Sequence, residues 1–132
     1  MQSSKDLLLE VYFKIKNKGL IDEDFVNFIE SIFPDKSPNI LKVIKRGITK
    51  YTFKPSGRII WTAMGQNNEY LIYPKVYCGC VDFYKNVVIK RIRGFCKHII
   101  AQVICEALSN YQESVIEDNK FANFMDDLKL EE

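Results

Sequence analysis

The 132-residue sequence has one histidine, one tryptophan and six glycines, and the shortages narrow what the chain can do. No glycine-rich stretch has the form of a phosphate-binding loop, so nucleotide hydrolysis has no candidate site. No pair of carboxylates is set apart for acid and base work. The lone histidine, His98, stands two residues from a cysteine and leaves no base for a serine triad. No uninterrupted apolar run approaches the length of a membrane span, and the first residues lack the apolar segment and cleavage site of a secretory signal. These absences lead to the expectation of an intracellular protein, cytoplasmic in a prokaryotic cell or nuclear in a eukaryotic one, not secreted. They also predict a non-enzyme with no membrane partner and no small-molecule substrate. Internal repeats and low-complexity segments are missing as well.

Acidic residues are missing from the middle. Residues 35–98 carry 13 Lys or Arg against 3 Asp or Glu, a balance of +10, whereas residues 1–34 balance at −2 and residues 99–132 at −6. A net charge of +2 therefore conceals a basic centre and an acidic end. Such a centre suits a polyanion, or the acidic end of the same chain. The length fits one domain, and 47% hydrophobic with 27% charged residues is ordinary for a globular core.

The texture divides that single domain, 1–132, into three parts. Residues 1–47 read as short helices. Ser4 is a candidate cap for a first helix with Leu8, Val11, Tyr12 and Ile15 on one stripe and a stop at Gly19. Asp22 caps a second, with Glu23 and Asp24 in its first turn, and Pro34 ends it. Ser37 and Pro38 form a cap and first-turn pair for a third, closed at Gly47. Residues 48–110 begin with three runs rich in β-branched and aromatic residues, "ITKYTFK", "RIIWTAM" and "EYLIYPKVY", separated by "PSG" and "GQNN", which predicts a three-stranded antiparallel meander. "CKHIIAQVICEALSN" then returns to a helical pattern apolar on most faces, hence a buried helix. Residues 111–132 read as an acidic tail with one amphipathic helix. The fold class is α+β. Trp61, Phe53, Tyr70 and Tyr73 are expected in the core or on a partner surface, with core preferred.

The chemistry concentrates between Tyr77 and Ile100, which holds Cys78, Cys80, Cys96 and His98. In a reducing compartment, clustered cysteines beside a histidine point to metal or catalysis rather than disulfides. Cys78 and Cys80 flank a glycine at strand spacing, and residues i and i+2 of a strand share a face. Within a helix, by contrast, i and i+2 lie about 200° apart. Cys96 and His98 can therefore converge only if Cys96 sits at or just before a helix start. A helix N-terminus, with Lys97 and Arg93 nearby, also favours thiolates. Cys105, seven residues beyond His98, lies about 10 Å further along the axis and is assigned to the core. Four nitrogen and sulfur donors suit one tetrahedral zinc ion with no open position, which makes the site structural. The alternatives are a C-x-C redox pair, core residues that fall together, and a catalytic cysteine assisted by His98.

The pattern Cys78-x-Cys80, a spacer of 15 residues, then Cys96-x-His98 followed by Ala101 resembles the SWIM zinc-binding domain. Over roughly Asp22 to Leu108, including the Pro55-Ser56-Gly57-Arg58 turn, the chain is similar to the small SWIM subunit of Shu-type recombination complexes. The resemblance implies structural zinc on Cys78, Cys80, Cys96 and His98, and a RecA-family recombinase paralogue as protein partner in homologous recombination and DNA repair. "VDF" follows Cys80 where the family commonly has proline. SWIM domains also occur inside transposases, helicase-like chromatin proteins and ubiquitin ligases, usually in much longer chains.

The spacer contributes Lys85, Lys90, Arg91 and Arg93 among apolar residues, with Lys97 just beyond. Such cations neutralise phosphates, so a ribbon contacting DNA, expected to be single-stranded, is one reading. A solvated strand whose Val87, Val88, Ile89 and Ile92 pack inward is the other. Two functions follow: a zinc-stabilised adaptor that works with the recombinase paralogue, or an autonomous nucleic-acid-binding regulator.

Overall fold

Helical periodicity at the N-terminus becomes three helices in the computed structural model, which describes residues 4–65, 68–73, 77–78 and 96–128. Helix α1 (Ser4–Lys18) buries Leu8, Val11 and Ile15, one side of a 3.6-residue repeat. It ends at Gly19, whose φ of +78° glycine adopts without a side-chain clash and whose N–H bonds the Ile15 carbonyl at 2.8 Å. The side chain of Ser4 lies outside the described ones. Helix α2 (Glu23–Ile32) starts where Asp22 Oδ1 accepts the Phe25 N–H at 2.8 Å, and buries Phe25 and Ile29. That bond, followed by one from Lys18, holds the Asp22 carboxyl below its ordinary pKa.

Helix α3 (Ser37–Arg46) corrects one expectation. Ser37 is not the cap; Lys36 occupies that position in a helical conformation with no side-chain cap bond. The Ser37 hydroxyl instead donates to Glu30 Oε1 at 2.8 Å, while the other Glu30 oxygen accepts the Asp35 N–H. Glu30 thus satisfies both ends of the α2–α3 turn, and the Asp35 N–H, then Ser37, lower its pKa. Gly47, at φ +118°, closes α3.

The sheet is larger than the expected three-stranded meander, and mixed. Among the described residues it comprises β1 (Ile48–Lys54), β2 (Ile59–Met64), β3 (Glu69–Tyr73), β4 (Tyr77–Cys78) and β5 (Gln112–Glu117), in the order β4-β3-β2-β1-β5. The run read as one third strand is two, since Tyr73 pairs with Tyr77 and Ile72 with Cys78 in antiparallel register. Proline, which cannot donate to a ladder, stands between them in the sequence as Pro74. The segment read as an acidic tail contributes β5, parallel to β1, with Thr49 against Gln112 and Lys54 against Glu117. After a 3-10 turn (Asp118–Lys120), helix α5 (Phe121–Asp127) follows.

Opposed residues in these registers share a face. The face with Ile48, Trp61, Ala63, Tyr70 and Ile72 joins the main core with α1, α2, α3 and α4 (Lys97–Leu108). The other face carries Tyr51 and Phe53, which α5 covers. Phe53 meets Phe121 and Phe124 edge-on at 5.0 and 5.3 Å, and Tyr51 meets Phe124 at 4.6 Å. Ser56 donates through its N–H and its hydroxyl to Asp118 at 2.9 and 2.8 Å, tying the β1–β2 turn to the C-terminal segment. Phe53, Trp61 and Tyr70 are buried as expected, whereas Tyr73 is exposed.

Candidate metal centre

Helix α4 is the central element of the helical layer, packed against both α1 and α3. Every residue from His98 to Cys105 on it is buried, so its polar side chains must find partners inside the protein. Cys96 is its N-cap, extended at φ −91° and ψ 169°. His98 lies in the first turn. This is the arrangement that lets an i, i+2 pair converge, because the first member stands outside the helical rotation.

Cys96 and His98 are 0% and 3% exposed, and Cys96 Sγ lies 3.9 Å from His98 Nδ1. A tetrahedral ion with arms of about 2.3 Å to sulfur and 2.0 Å to nitrogen holds such a pair about 3.5 Å apart. The observed spacing is a few tenths of an ångström longer, within the reach of a small side-chain rotation. The two residues present therefore fit a zinc ion. Cys96 Sγ and the imidazole of His98 would hold it, and the ion would supply a cross-link, with no reactive position of its own if the donor set is complete.

The neighbouring strand comes from the other end of the motif. Cys78 stands on β4, in register with the buried Ile72, and α4 packs against β4. The backbone that carries Cys78 thus runs beside the helix that carries His98. The side chain of Cys78 and the whole of Cys80 lie outside the described residues. Among the described residues, no three His, Cys, Asp or Glu side chains come together as a metal-holding group. Lys85, Lys90, Arg91 and Arg93 also lie outside the described residues. Lys97 is half-buried at the start of α4. Ala101, buried one turn after Lys97, leaves room for close packing.

Cys105 is buried two turns beyond His98, and burial pushes its thiol up to about 12. In the absence of a metal that burial favours the neutral thiol, as expected of a core cysteine. Two residues beside the pair were not among the expected site residues, although Tyr70 was expected in the core. Tyr70 on β3 lays its ring 4.9 Å from the His98 imidazole, centre to centre, and walls it from the sheet side. Gln102, fully buried one turn after His98, donates from Nε2 to Glu106 Oε1 at 2.7 Å, while its buried Oε1 has no hydrogen-bond partner among the described residues. The i+4 spacing from His98 was the available signal for Gln102. Tyr70 carried none, because its closeness to His98 depends on how β3 meets α4.

No protein-family model matches the chain, and no solved structure matches it significantly. Curated proteins do. The chain is 28% identical over 117 residues to the zinc finger SWIM domain-containing protein 7 homolog of Dictyostelium discoideum, covering 86% of this chain and 75% of that one. It is 23% and 20% identical over 123 residues to the zinc finger SWIM domain-containing protein 7 of Mus musculus and Homo sapiens. Those alignments cover 92% of this chain and 81% and 88% of the relatives. Likeness over most of both chains supports a SWIM-type protein.

Proposed function

We propose that this SWIM-type chain is a non-catalytic adaptor, held together by one structural zinc ion, that partners a RecA-family recombinase paralogue and assists its DNA binding in homologous recombination and repair. The observation that carries the zinc part is the buried Cys96–His98 pair at the start of α4, with Sγ 3.9 Å from Nδ1 and the Cys78 strand alongside. Named SWIM relatives over most of the chain support the same assignment. The partner part is supported by the sequence resemblance in the Pro55-Ser56-Gly57-Arg58 turn and the ligand spacing. A basic centre of +10 over residues 35–98 supports a role beside a polyanion.

A zinc ion on Cys78, Cys80, Cys96 and His98 would clamp the start of the central helix to the edge of the sheet. Its binding free energy would then be folding free energy. Purification of the tagged chain from its native cells, without chelator, tests both parts. One zinc per chain by elemental analysis and a co-eluting RecA-like ATPase are expected. Metal-free folded protein removes the zinc reading. Zinc-loaded protein that brings down no ATPase yet binds DNA alone, in a salt-sensitive manner, favours the autonomous regulator.

A further inference from the structure

Among the described strands β5 stands at the end of the sheet, four positions from β4. At about 4.8 Å per strand, β5 lies roughly 19 Å from β4, which carries Cys78. Natural edge strands are commonly short, or blunted by charged side chains, lysine above all, by proline or by a bulge, and the charges β5 carries are the acidic Glu113 and Glu117. β5 is six residues long, contains neither lysine nor proline, and is exposed at five of its six positions. Among the described residues, nothing lies beyond it in the sheet.

Its side chains follow a pattern. Glu113, Val115 and Glu117 share one face, opposite Lys50, Thr52 and Lys54 of β1. β1 therefore already shows which strand this row accepts on its inner side: basic, small, basic at alternate positions. The small Thr52 leaves Val115 68% exposed, and across Thr52 in the same row Ile59 is 46% exposed. Neither glutamate is in an ion pair among the described residues, where Lys18 supplies the only such pairs. An acidic, apolar, acidic row thus borders an open edge of backbone.

We propose that the outer edge of β5 is a docking site for an extended segment of a partner protein that carries basic side chains two residues to either side of an apolar one. Main-chain bonds extend the sheet, the apolar residue covers Val115, and the two cations face Glu113 and Glu117. A second copy of this chain suits the site poorly. Antiparallel pairing of two β5 strands about Val115 sets Glu113 of each against Glu117 of the other, and like charges directly opposed are destabilising. The site does not rest on the zinc or recombinase reading, being at the other edge of the sheet.

The test uses the whole chain and a synthetic peptide, acetyl-Thr-Lys-Thr-Val-Thr-Lys-Thr-amide, with hydrogen exchange of the 112–117 amides as readout. The peptide is expected to protect those amides, and its analogue with both lysines replaced by glutamate to need at least about tenfold more for the same protection. A backbone N-methylated analogue is expected to give none. Glu113→Lys with Glu117→Lys is expected to invert the preference between the two charged peptides. If that variant does not fold, Glu113→Gln with Glu117→Gln is expected to abolish the preference. No protection, protection indifferent to peptide charge, or equal protection by the N-methylated peptide overturns the proposal. Protection that rises with protein concentration alone overturns it in favour of a second copy.

Discussion

Cys96 and Cys105 make a matched pair of probes, because both are buried, at 0% and 1% exposure, and both sit on or at α4. Replacing either sulfur by a hydroxyl puts a polar group into an apolar setting, which costs about 1–3 kcal/mol in mutational data. For 132 residues, an unfolding entropy of roughly 0.28 kcal/mol/K converts that cost into a melting-point loss of about 4–11 °C. Cys105→Ser is expected to show that loss and no more, in zinc-loaded protein and after chelation alike, with metal content unchanged. Cys96→Ser carries the same burial cost and also removes a zinc donor. Its loss in zinc-loaded protein is expected to exceed that of Cys105→Ser several-fold, since structural zinc contributes on the order of 10 kcal/mol to folding. After chelation the two variants should melt within a few degrees of each other. The assay is a pair of calorimetric melts per variant, with and without chelator, beside elemental analysis. Equal losses in the zinc-loaded state, or a gap that survives chelation, would refute the assignment of Cys96 to the metal and return it to the core.

Other outcomes follow from the fold. Tyr51 is held neutral by burial and by its 2.8 Å bond to Glu69, which raise its pKa to about 12. Its unfolded value is near 10, so its stabilising effect is complete below pH 10 and disappears as pH rises toward 12. Melts between pH 10 and 12 should therefore fall more steeply for the wild type than for Tyr51→Phe. Asp22 titrates in the opposite sense: its lowered carboxyl stabilises above its unfolded pKa and loses that effect as pH falls through the folded one. Asp22→Asn should melt below the wild type at pH 7 and converge with it in acid, whereas Asp22→Ala stays below both for want of a cap. Phe124→Ala removes the ring shared by Tyr51 and Phe53. A loss of about 1–3 kcal/mol, less than for a fully buried aromatic, is expected in denaturant melts, with zinc content unaffected.

What could be read from the sequence was local. The stripe Leu8, Val11, Ile15, the Asp22 cap and the stops at Gly19 and Gly47 each depend on residues within one or two turns. The need for Cys96 to precede the helix follows from rotation per residue alone. β5 was illegible because "QESVIE" has no alternation to report: five of its six residues face water, and it is a strand because β1 offers it an edge. Ser37 misled for a related reason, since the hydroxyl that would cap α3 is taken by Glu30, seven residues earlier. At the site, Tyr70 reaches His98 only through the packing of sheet on helix, which no spacing in the chain encodes.

The parallel pairing of β1 with β5 has a consequence for synthesis. β1 meets β2 across a short turn, but its other neighbour arrives 63 residues later, Thr49 against Gln112. At roughly 5–20 residues per second, a ribosome takes about 3–13 seconds to cover that distance. Until that stretch is made, one edge of β1 has no partner strand and Phe53 lacks the α5 rings that cover it in the folded chain.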